Sequence, residues 1–202
     1  MLVALPAGAA FVEHEKGRAR EFAAAVFGDK VFRSGDKKWL HLTDSQRLKV
    51  FQRIVELHSN LYGTPNYKVV NAALPADVRG QYNHNTSKIE VDLTKIRQGG
   101  LVTLDTYRVL FHELSHGYQE FLALGYATGT LRPPDPRYQR ARIYALQIHL
   151  AVPHRKGTAA ANKIYNAQPV ETDSREFARR TYLGMEELWK KWIRKDIKRS
   201  PK

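Results

Sequence analysis

The segment RVLFHELSHGYQEF, residues 108–121, decides how the rest of the chain is interpreted. His112 and His116 are four positions apart, and Glu113 directly follows the first histidine. Apolar residues precede and follow these three, which is typical of a helix whose other sides are buried. Residues four apart on a helix lie one turn above each other on the same face. The two imidazoles therefore face the same way, and Glu113 lies beside them.

Two imidazoles on one helical face can direct their Nε2 atoms at one ion, and neutral imidazole nitrogens suit Zn²⁺. A catalytic zinc takes three protein ligands and leaves one position for water. Zinc acidifies that water, and Glu113 can accept its proton and later pass it to a leaving amine. The H-E-x-x-H pattern therefore predicts one zinc ion per chain, held by His112 and His116, with Glu113 as the general base.

A third ligand is required, and the sequence offers several acids. No histidine stands six positions after His116. Glu120 lies on the same face, but a third group from one straight helix completes a tetrahedron poorly. Glu171, in the first turn of a later helix, is the preferred ligand, with Asp173 and Glu176 as alternatives. Asp173 could instead hold a zinc-bound imidazole through its Nδ1–H. All three acids would also favour a helix N-terminus without any metal.

A family resemblance is carried by HELSH and by P-x-E-x-D-x-x-x-F-A at residues 169–178. Together these motifs resemble those of compact gluzincin metallopeptidases. The chain is most similar to the peptidase domains of bacterial polymorphic toxins and secreted effectors, and more distantly to the ImmA/IrrE-like peptidases that cleave repressors. RGQYNHNTSKIEVDL, residues 79–93, is similar to the hairpin that those domains have before the active-site helix.

The resemblance covers residues 79–178 and implies a zincin-like fold. It also implies a site in which Glu113 is the base and the metal ligands are His112, His116 and Glu171. The chain departs from the family pattern in two positions. Ser174 stands where such domains usually have alanine, and an arginine at position 175 replaces the acid that gluzincins have four residues after the third ligand.

Periodicity predicts an α+β fold that is mostly helical, with a small antiparallel sheet before the helix that carries residues 108–121. Helices are expected over residues 13–27, from Thr43 or Asp44 to about 63, from Thr103 or Asp105 to 124, over 138–150, and from Pro169 through 197. Strands are expected at residues 67–70, 79–83 and 88–93, the last two joined as a hairpin. No linker divides the chain, so one domain over residues 1–202 is expected.

Several side chains have less specific roles. His58 is expected in the core, because it falls on the apolar side of its helix, and His84 is expected to be exposed in the hairpin turn. A hydrolase of this kind needs a donor for the oxyanion. The candidates between the two metal motifs are Tyr144, His149, His154 and Tyr165. The strand at residues 88–92 is a candidate sheet edge for binding an extended peptide.

The composition is strongly basic and contains no cysteine. With 33 Lys and Arg against 20 Asp and Glu, the formal net charge is +13, which favours polyanionic partners such as nucleic acid. The absence of cysteine excludes disulfides and thiolate metal sites. The C-terminal WKKWIRKDIKRSPK, residues 189–202, places tryptophans among cations. Such a segment can bind nucleic acid or a membrane, although tryptophans that face the core are the favoured interpretation.

The resulting expectation is a zinc-dependent endopeptidase that acts on a protein substrate as a bacterial effector or toxin domain, with a cognate inhibitor or immunity protein as a partner. No apolar run is long enough to cross a bilayer, and the N-terminus lacks the basic start of a signal peptide. The chain is therefore expected to be soluble, either cytoplasmic or delivered into a target cell by a specialised secretion system. The alternative is a nucleic-acid-associated protein that uses a zincin-like fold as a scaffold or as a DNA-directed protease.

Overall fold

The computed structural model describes residues 9–37, 39–98, 104–150 and 159–199. Within these ranges the fold is α+β and mostly helical, as predicted. In chain order the helices are α1 (Ala9–Gly28), α2 (Lys30–Lys37), α3 (Asp44–Tyr62), α4 (Leu93–Gln98), α5 (Leu104–Ala127), α6 (Tyr138–Leu150), α7 (Ala159–Ala167) and α8 (Pro169–Arg199). The strands are β1 (Lys68–Asn71), β2 (Gly80–Asn83) and β3 (Lys88–Val91), and a 3₁₀ turn spans Trp39–His41.

The three strands form one sheet in the order β1-β3-β2. β2 and β3 are antiparallel, which confirms the predicted hairpin, whereas β1 pairs with β3 in parallel. The sheet is therefore mixed, and the prediction of a purely antiparallel sheet was wrong. A hairpin is a local feature that can be predicted from the residues of its turn. The pairing of β1 with β3 is non-local, and no turn sequence between the two strands predicts it.

The position of β3 also corrects the expected sheet edge. β3 lies in the centre of the sheet and pairs on both sides, so it cannot accept a further strand. β2 is the edge strand that approaches α5. Gly80 permits this approach, because a Cβ added there would lie 2.6 Å from Cγ1 of Val109 on α5.

The ends of α3 were predicted correctly from local sequence signals, whereas the end of α5 was not. At the start of α3, the Thr43 side chain accepts from the amide of Gln46, and the Gln46 side chain accepts from the amide of Thr43, which completes a capping box. Gly63, with φ of 69°, ends α3 as predicted. The predicted stop of α5 at Gly125 was wrong, because the helix continues to Ala127 and the left-handed residue is Gly129.

Three short helices were not predicted: α2, α4 and α7. Asp92 explains one of them, because its Oδ1 accepts from the amides of Thr94 at 3.1 Å and Lys95 at 3.3 Å. An aspartate that caps a helix ends the preceding strand. Residues 92 and 93, expected in the strand, therefore belong to the cap and to α4.

Helix α5 lies in the middle of the core and packs most extensively against α8 and α6, while its N-terminal half contacts β2. Its largest fully buried side chains are those of Tyr107, Leu110, Phe111, Leu114 and Leu122. Each contributes roughly 1.5–3 kcal/mol through burial. This packing fixes the rotation of α5 about its axis, and so determines the direction in which its remaining face points.

His58 on α3 is fully buried, as expected of a core residue. Its ring stacks on Tyr62 at a centroid distance of 4.4 Å, and burial lowers its pKa to about 3. The imidazole is therefore neutral in the folded protein. No helix in the described part of the chain is both long and apolar enough to span a membrane.

Candidate metal centre

Helices α5 and α8 bring His112, His116 and Glu171 together. The two histidine Nε2 atoms are 3.1 Å apart. One carboxylate oxygen of Glu171 lies 3.5 Å from the Nε2 of His112, and the other lies 3.5 Å from the Nε2 of His116. These three side chains could hold a metal ion between them. The preferred third ligand in the sequence is thus the acid that the fold brings to the two imidazoles.

The position of Glu171 follows from the start of α8. Pro169 is the first residue of this helix. Proline suits this position because an N–H there would have no acceptor within the helix, so its absence costs no hydrogen bond. The amide of Val170 donates to Oε1 of Gln147 on α6, which anchors the first turn. Glu171 is only 6% exposed and points at α5. The hydroxyl of Tyr165 on α7 donates a hydrogen bond to Oε1 of Glu171, with an oxygen–oxygen distance of 2.5 Å.

The ring of His116 is held by two buried polar side chains. Its Nδ1 atom lies 3.0 Å from Oε1 of Gln119 and 3.3 Å from Oγ of Ser174. The amide nitrogen of Gln119 donates to the carbonyl of Val170 at 2.8 Å and to Oγ of Ser174 at 3.0 Å, which fixes the amide with its oxygen towards the histidine. Nδ1 of His116 therefore carries the proton. The lone pair of Nε2 points to the space between His116, His112 and Glu171.

Asp173 does not orient a ligand imidazole, contrary to the role considered for it. Its carboxylate accepts from Nε of Arg140 at 2.6 Å and from the hydroxyl of Tyr144 at 2.6 Å. Both partners belong to α6, so this pair connects α6 to α8. One residue further along α8, Ser174 occupies the orienting position instead, because it is the side chain that faces His116.

The other acids considered as ligands also lie elsewhere. Glu176 accepts from Arg179 and Arg180 on the exposed side of α8. Glu120 lies 3.5 Å from Nδ1 of His84, which is exposed in the hairpin turn as expected. Neither acid belongs to the group that could hold a metal. Their positions exclude them as alternatives to Glu171.

Glu113 is buried and tied to the edge strand. Its Oε2 accepts from the amide of Tyr82 on β2 at 2.7 Å. Burial raises the pKa of Glu113, with the neighbouring charge of His112 and the Tyr82 amide acting against it. Because the Tyr82 amide donates to α5, this N–H points away from β3. Glu113 therefore lies between the candidate ligands and the free side of β2.

The protonation of the three candidate ligands is set by burial and by one another. Burial opposes a charge on His112, but the hydrogen bond to Glu171 and the charges of Glu113 and Glu171 raise its pKa. Burial and the charge of His112 lower the pKa of His116 to about 4. Burial favours a neutral Glu171, but the hydrogen bond to His112 and the charge of His116 lower its pKa to about 2. Glu171 is thus an anion at neutral pH and His116 is neutral, as metal ligands must be.

The group opens onto a cleft of about 900 Å³ that is lined by residues of β2, α5, α7 and α8 and by the segment before β2. Of the four candidate oxyanion donors, Tyr165 lines this cleft. Tyr144 is buried against Asp173 and does not line it. The side chain of His149 and the whole of His154 lie outside the part of the chain that the structure describes.

Two arginines at the cleft, Arg79 and Arg108, have exposed side chains. In the described part of the chain neither forms an ion pair. Arg175, which also lines the cleft, donates to the side-chain oxygen of Asn166 at 2.8 Å and lies 3.9 Å from Glu171. Asp77 lines the same cleft, so the described part of its rim carries three arginines and one aspartate around a group with buried carboxylates.

Gln119 and the backbone of Tyr82 are the contributors that sequence analysis missed. Sequence analysis gave Gln119 no role at the site. Its position three residues after His116, on the same helical face, is a signal that could have identified it. The Tyr82 contact has no signal in the sequence, because it is made by a main-chain amide of another element.

Comparison with known proteins gives no match: no protein-family model, no curated protein and no solved structure matches the chain. The class of site is therefore defined by its own side chains. It consists of two imidazoles and one carboxylate that could hold a metal ion, beside a buried glutamate. Function is inferred from these residues and from the cleft that they line.

Proposed function

We propose that the protein is a zinc-dependent endopeptidase, with His112, His116 and Glu171 as the metal ligands and Glu113 as the general base. The observation that carries this proposal is the convergence of one potential ligand atom each from His112, His116 and Glu171, all within 4.8 Å of one another, beside a buried glutamate in an open cleft. If His112 and His116 were surface histidines without a function, there would be no reason for the carboxylate of Glu171, from another helix, to lie against them.

Zinc is the metal that the donor set favours. Four ligands at about 2.0–2.1 Å in a tetrahedron are separated from each other by about 3.3 Å. The two Nε2 atoms are 3.1 Å apart, and each lies 3.5 Å from a different oxygen of Glu171, so the three side chains are spaced for one such ion. Two nitrogens and one oxygen from the protein leave the fourth position for water or substrate, which is the arrangement of a catalytic zinc and not of a structural one.

The chemistry divides between the ion and the chain. A bound zinc would supply an acidified water and polarise the carbonyl of the scissile bond. Glu113, as a carboxylate, accepts a proton from the attacking water, and the same carboxyl later donates this proton to the leaving amine nitrogen. The Tyr82 amide holds the Glu113 side chain at one oxygen and leaves the other free for this transfer. The hydroxyl of Tyr165 donates to Glu171 in this structure and would have to turn from that carboxylate to donate to a developing oxyanion in the cleft.

The substrate in this proposal is an extended segment of protein bound along β2. β2 is the edge strand next to α5. The Tyr82 amide on its free side is held by Glu113, and the other backbone groups of this side can pair with a peptide in the way that sheet edges accept an added strand. Arg79 and Arg108 have no ionic partner in the described ranges and favour acidic side chains on the substrate. The proposed substrate class is therefore an acidic, extended peptide segment.

The biological setting belongs to the same proposal and rests on the resemblance to gluzincin domains of toxins and effectors. We propose that the chain acts as a toxin or effector on a protein of a target cell, and that a cognate inhibitor or immunity protein would cover the cleft. Expression of the wild-type chain in a susceptible cell would then arrest growth, and expression of the Glu113→Gln variant would not.

The central experiment combines metal analysis with cleavage of an unbiased set of cellular proteins. Wild-type protein and Glu113→Gln should each bind about one zinc per chain, but Glu113→Gln should lose about 10²–10⁴-fold in cleavage rate. His116→Ala should lose both zinc and cleavage. His41→Ala, which alters an exposed histidine of the 3₁₀ turn, is the matched control and should retain both.

Two results would contradict the proposal. The first is a wild-type protein that binds no zinc under conditions in which it is folded. The second is cleavage that persists at the wild-type rate in Glu113→Gln, because a hydrolase that does not use this carboxylate must use different chemistry. Circular dichroism of every variant separates these outcomes from a loss of fold.

A further inference from the structure

A second recess lies between α8 and the turn that joins α1 to α2. It has a volume of about 330 Å³ and is lined by Phe27, Lys30, Arg33, Ser34, Trp189 and Trp192. It shares no residue with the cleft at the metal centre. Trp189 follows Glu171 on the same helix by about five turns, or roughly 27 Å along the axis. The recess is therefore a separate feature at the other end of α8.

The aromatic wall of this recess is made by both tryptophans of the basic C-terminal segment. The ring centroids of Trp189 and Trp192 are 5.5 Å apart, and the ring of Phe27 meets Trp189 edge-on at 6.2 Å. Both tryptophans are only half-buried and do not belong to the core. The interpretation that they face the core was therefore wrong, since they line a concave surface that is open to solvent.

The opposite wall is cationic. Lys30 and Arg33 lie one turn apart on α2, and neither forms an ion pair with any residue that the structure describes. Asp29, the acid next to Lys30 in sequence, accepts from Arg53 at 2.9 Å and from the amides of Val31 and Phe32, so it is already paired. The side chain of Asp36, three residues after Arg33, lies outside the described part of the structure. Among the residues that the structure describes, no acidic side chain lines the recess. Within the described part of the chain, two cations thus face an aromatic surface.

We propose that this recess binds single-stranded nucleic acid, with one base stacked on the indole rings and the adjoining phosphates held by Lys30 and Arg33. Aromatic side chains that stack on bases, beside cations that follow the backbone, are the features by which proteins bind single strands. The chain as a whole carries a net charge of +13, which attracts a polyanion to this surface. Of the two exposed lysines between the tryptophans on α8, Lys190 pairs with Glu186 at 2.8 Å, and Lys191 has no ion pair with a residue that the structure describes.

The geometry favours a strand over the other polyanionic surfaces. Tryptophans that anchor a protein in a membrane must project into the interface between lipid and water. Here the rings are half-buried and form the wall of a recess between α8 and α2, so they do not project freely from the surface. An acidic protein surface would satisfy the cations but would leave the concave aromatic wall without a flat group to stack on it.

Binding is tested with a fluorescein-labelled single-stranded oligothymidylate, measured by anisotropy at two salt concentrations. The double variant Lys30→Glu with Arg33→Glu should bind at least tenfold more weakly than wild type. The dependence of log affinity on log salt should also fall by about 1.4, which corresponds to two phosphate contacts on a single strand. The matched control, Lys49→Glu with Lys163→Glu, changes two exposed lysines elsewhere and alters the net charge equally. It should lose much less affinity.

The stacking contact is tested separately. Trp192→Ala should bind about tenfold more weakly, whereas Trp192→Phe should retain most of the affinity because it keeps a ring. Binding should also quench tryptophan emission in the wild type. Trp39, which is only 2% exposed, contributes a constant background that the strand cannot reach. Circular dichroism establishes that each variant is folded.

Four outcomes would overturn the proposal. They are an equal loss of affinity in the lysine control, no effect of Trp192→Ala, competition by polyglutamate as effective as that by unlabelled oligonucleotide, and displacement of the oligonucleotide by phosphatidylserine vesicles. The first would leave only a general electrostatic field, the second would remove stacking, and the last two would assign the recess to an acidic protein or a membrane. Glu113→Gln should bind the strand as wild type does, so this test is independent of the proposed peptidase.

Discussion

Nδ1 of His116 and Oε1 of Gln119 lie 3.0 Å apart, and this contact fixes which nitrogen of the imidazole is available to a metal. Gln119 cannot turn its amide over, because its nitrogen already donates to the carbonyl of Val170 and to Ser174. The contact therefore couples the tautomer of a candidate ligand on α5 to the first turn of α8. The same turn carries Glu171, so one buried amide connects two of the three candidate metal ligands.

Removal of this amide should weaken metal binding. In Gln119→Met, which keeps the length of the side chain, His116 loses a partner for its Nδ1–H and α8 loses two hydrogen bonds. Zinc affinity should fall by about 10–100-fold, as is typical when an orienting partner of a ligand histidine is lost. A competition titration with a zinc chelator measures this effect. Unchanged affinity in a folded variant would mean that Gln119 only supports packing.

Asp173 provides the contrasting case, because it lies next to the site but serves α6. Asp173→Ala should lower the free energy of unfolding by about 1–3 kcal/mol, since it leaves the Arg140 charge and the Tyr144 hydroxyl without their shared acceptor. Zinc affinity should stay within a factor of about three. Denaturant unfolding and the chelator titration, performed on the same preparation, separate the two effects. A loss of affinity without loss of stability would restore Asp173 as an orienting residue.

The sequence was most informative where the chemistry is local. The H-E-x-x-H spacing predicted that His112 and His116 share a face, and the first-turn position of Glu171 made it the preferred third ligand. The sequence favoured Glu171 but did not exclude Asp173 or Glu176 as the third ligand. Which of the three faces the histidines depends on the rotation of α8 about its axis. That rotation is fixed by tertiary packing, including the close approach at Gly184, where an added Cβ would lie 2.9 Å from Ala23.

The sheet illustrates the same limit. A turn with Asn83, whose side chain accepts from the amides of Asn85 and Thr86, announces the β2–β3 hairpin. The sequence of residues 67–71 does not predict that β1 pairs with β3 in parallel. The edge strand was consequently assigned to β3, although a hairpin alone leaves both of its strands as candidates for the edge. Only the position of β1 decides between them.

Glu15 should make stability depend on pH. Burial raises its pKa from 4.5 to about 7, against the charge of Arg18 and the hydrogen bond from Tyr118. Because the pKa is higher in the folded state, the contribution of Glu15 is fully present below about 4.5 and is lost as the pH rises through about 7. Glu15→Gln cannot ionise, so it should gain stability relative to wild type between pH 5 and pH 8. Urea unfolding at both pH values measures the difference, and a constant difference would contradict the assignment.

Gly117 should not tolerate a side chain, although it lies in the middle of α5. A Cβ added there would lie 2.7 Å from the ring of Tyr67, which cannot retreat easily because its hydroxyl donates to the Gly117 carbonyl at 2.8 Å. Gly117→Ala should therefore cost about 1–3 kcal/mol. Gly17→Ala in α1, where no atom lies within 4 Å, is the control and should stabilise the protein by about 0.5–1 kcal/mol. Thermal unfolding of both variants should show shifts of opposite sign.

Arg79 and Arg108 should determine which peptides the proposed peptidase cleaves fastest. Two peptides with the same cleavage site, one with glutamates and one with glutamines beside it, should differ in kcat/KM, with the acidic peptide preferred. Arg79→Glu with Arg108→Glu should reverse this preference, because the arginines attract the acidic peptide and the introduced carboxylates repel it. Arg20→Glu with Arg142→Glu changes exposed arginines away from the cleft and should leave the ratio unchanged. If both double variants change the ratio equally, the preference arises from the net charge of the protein and not from the rim of the cleft.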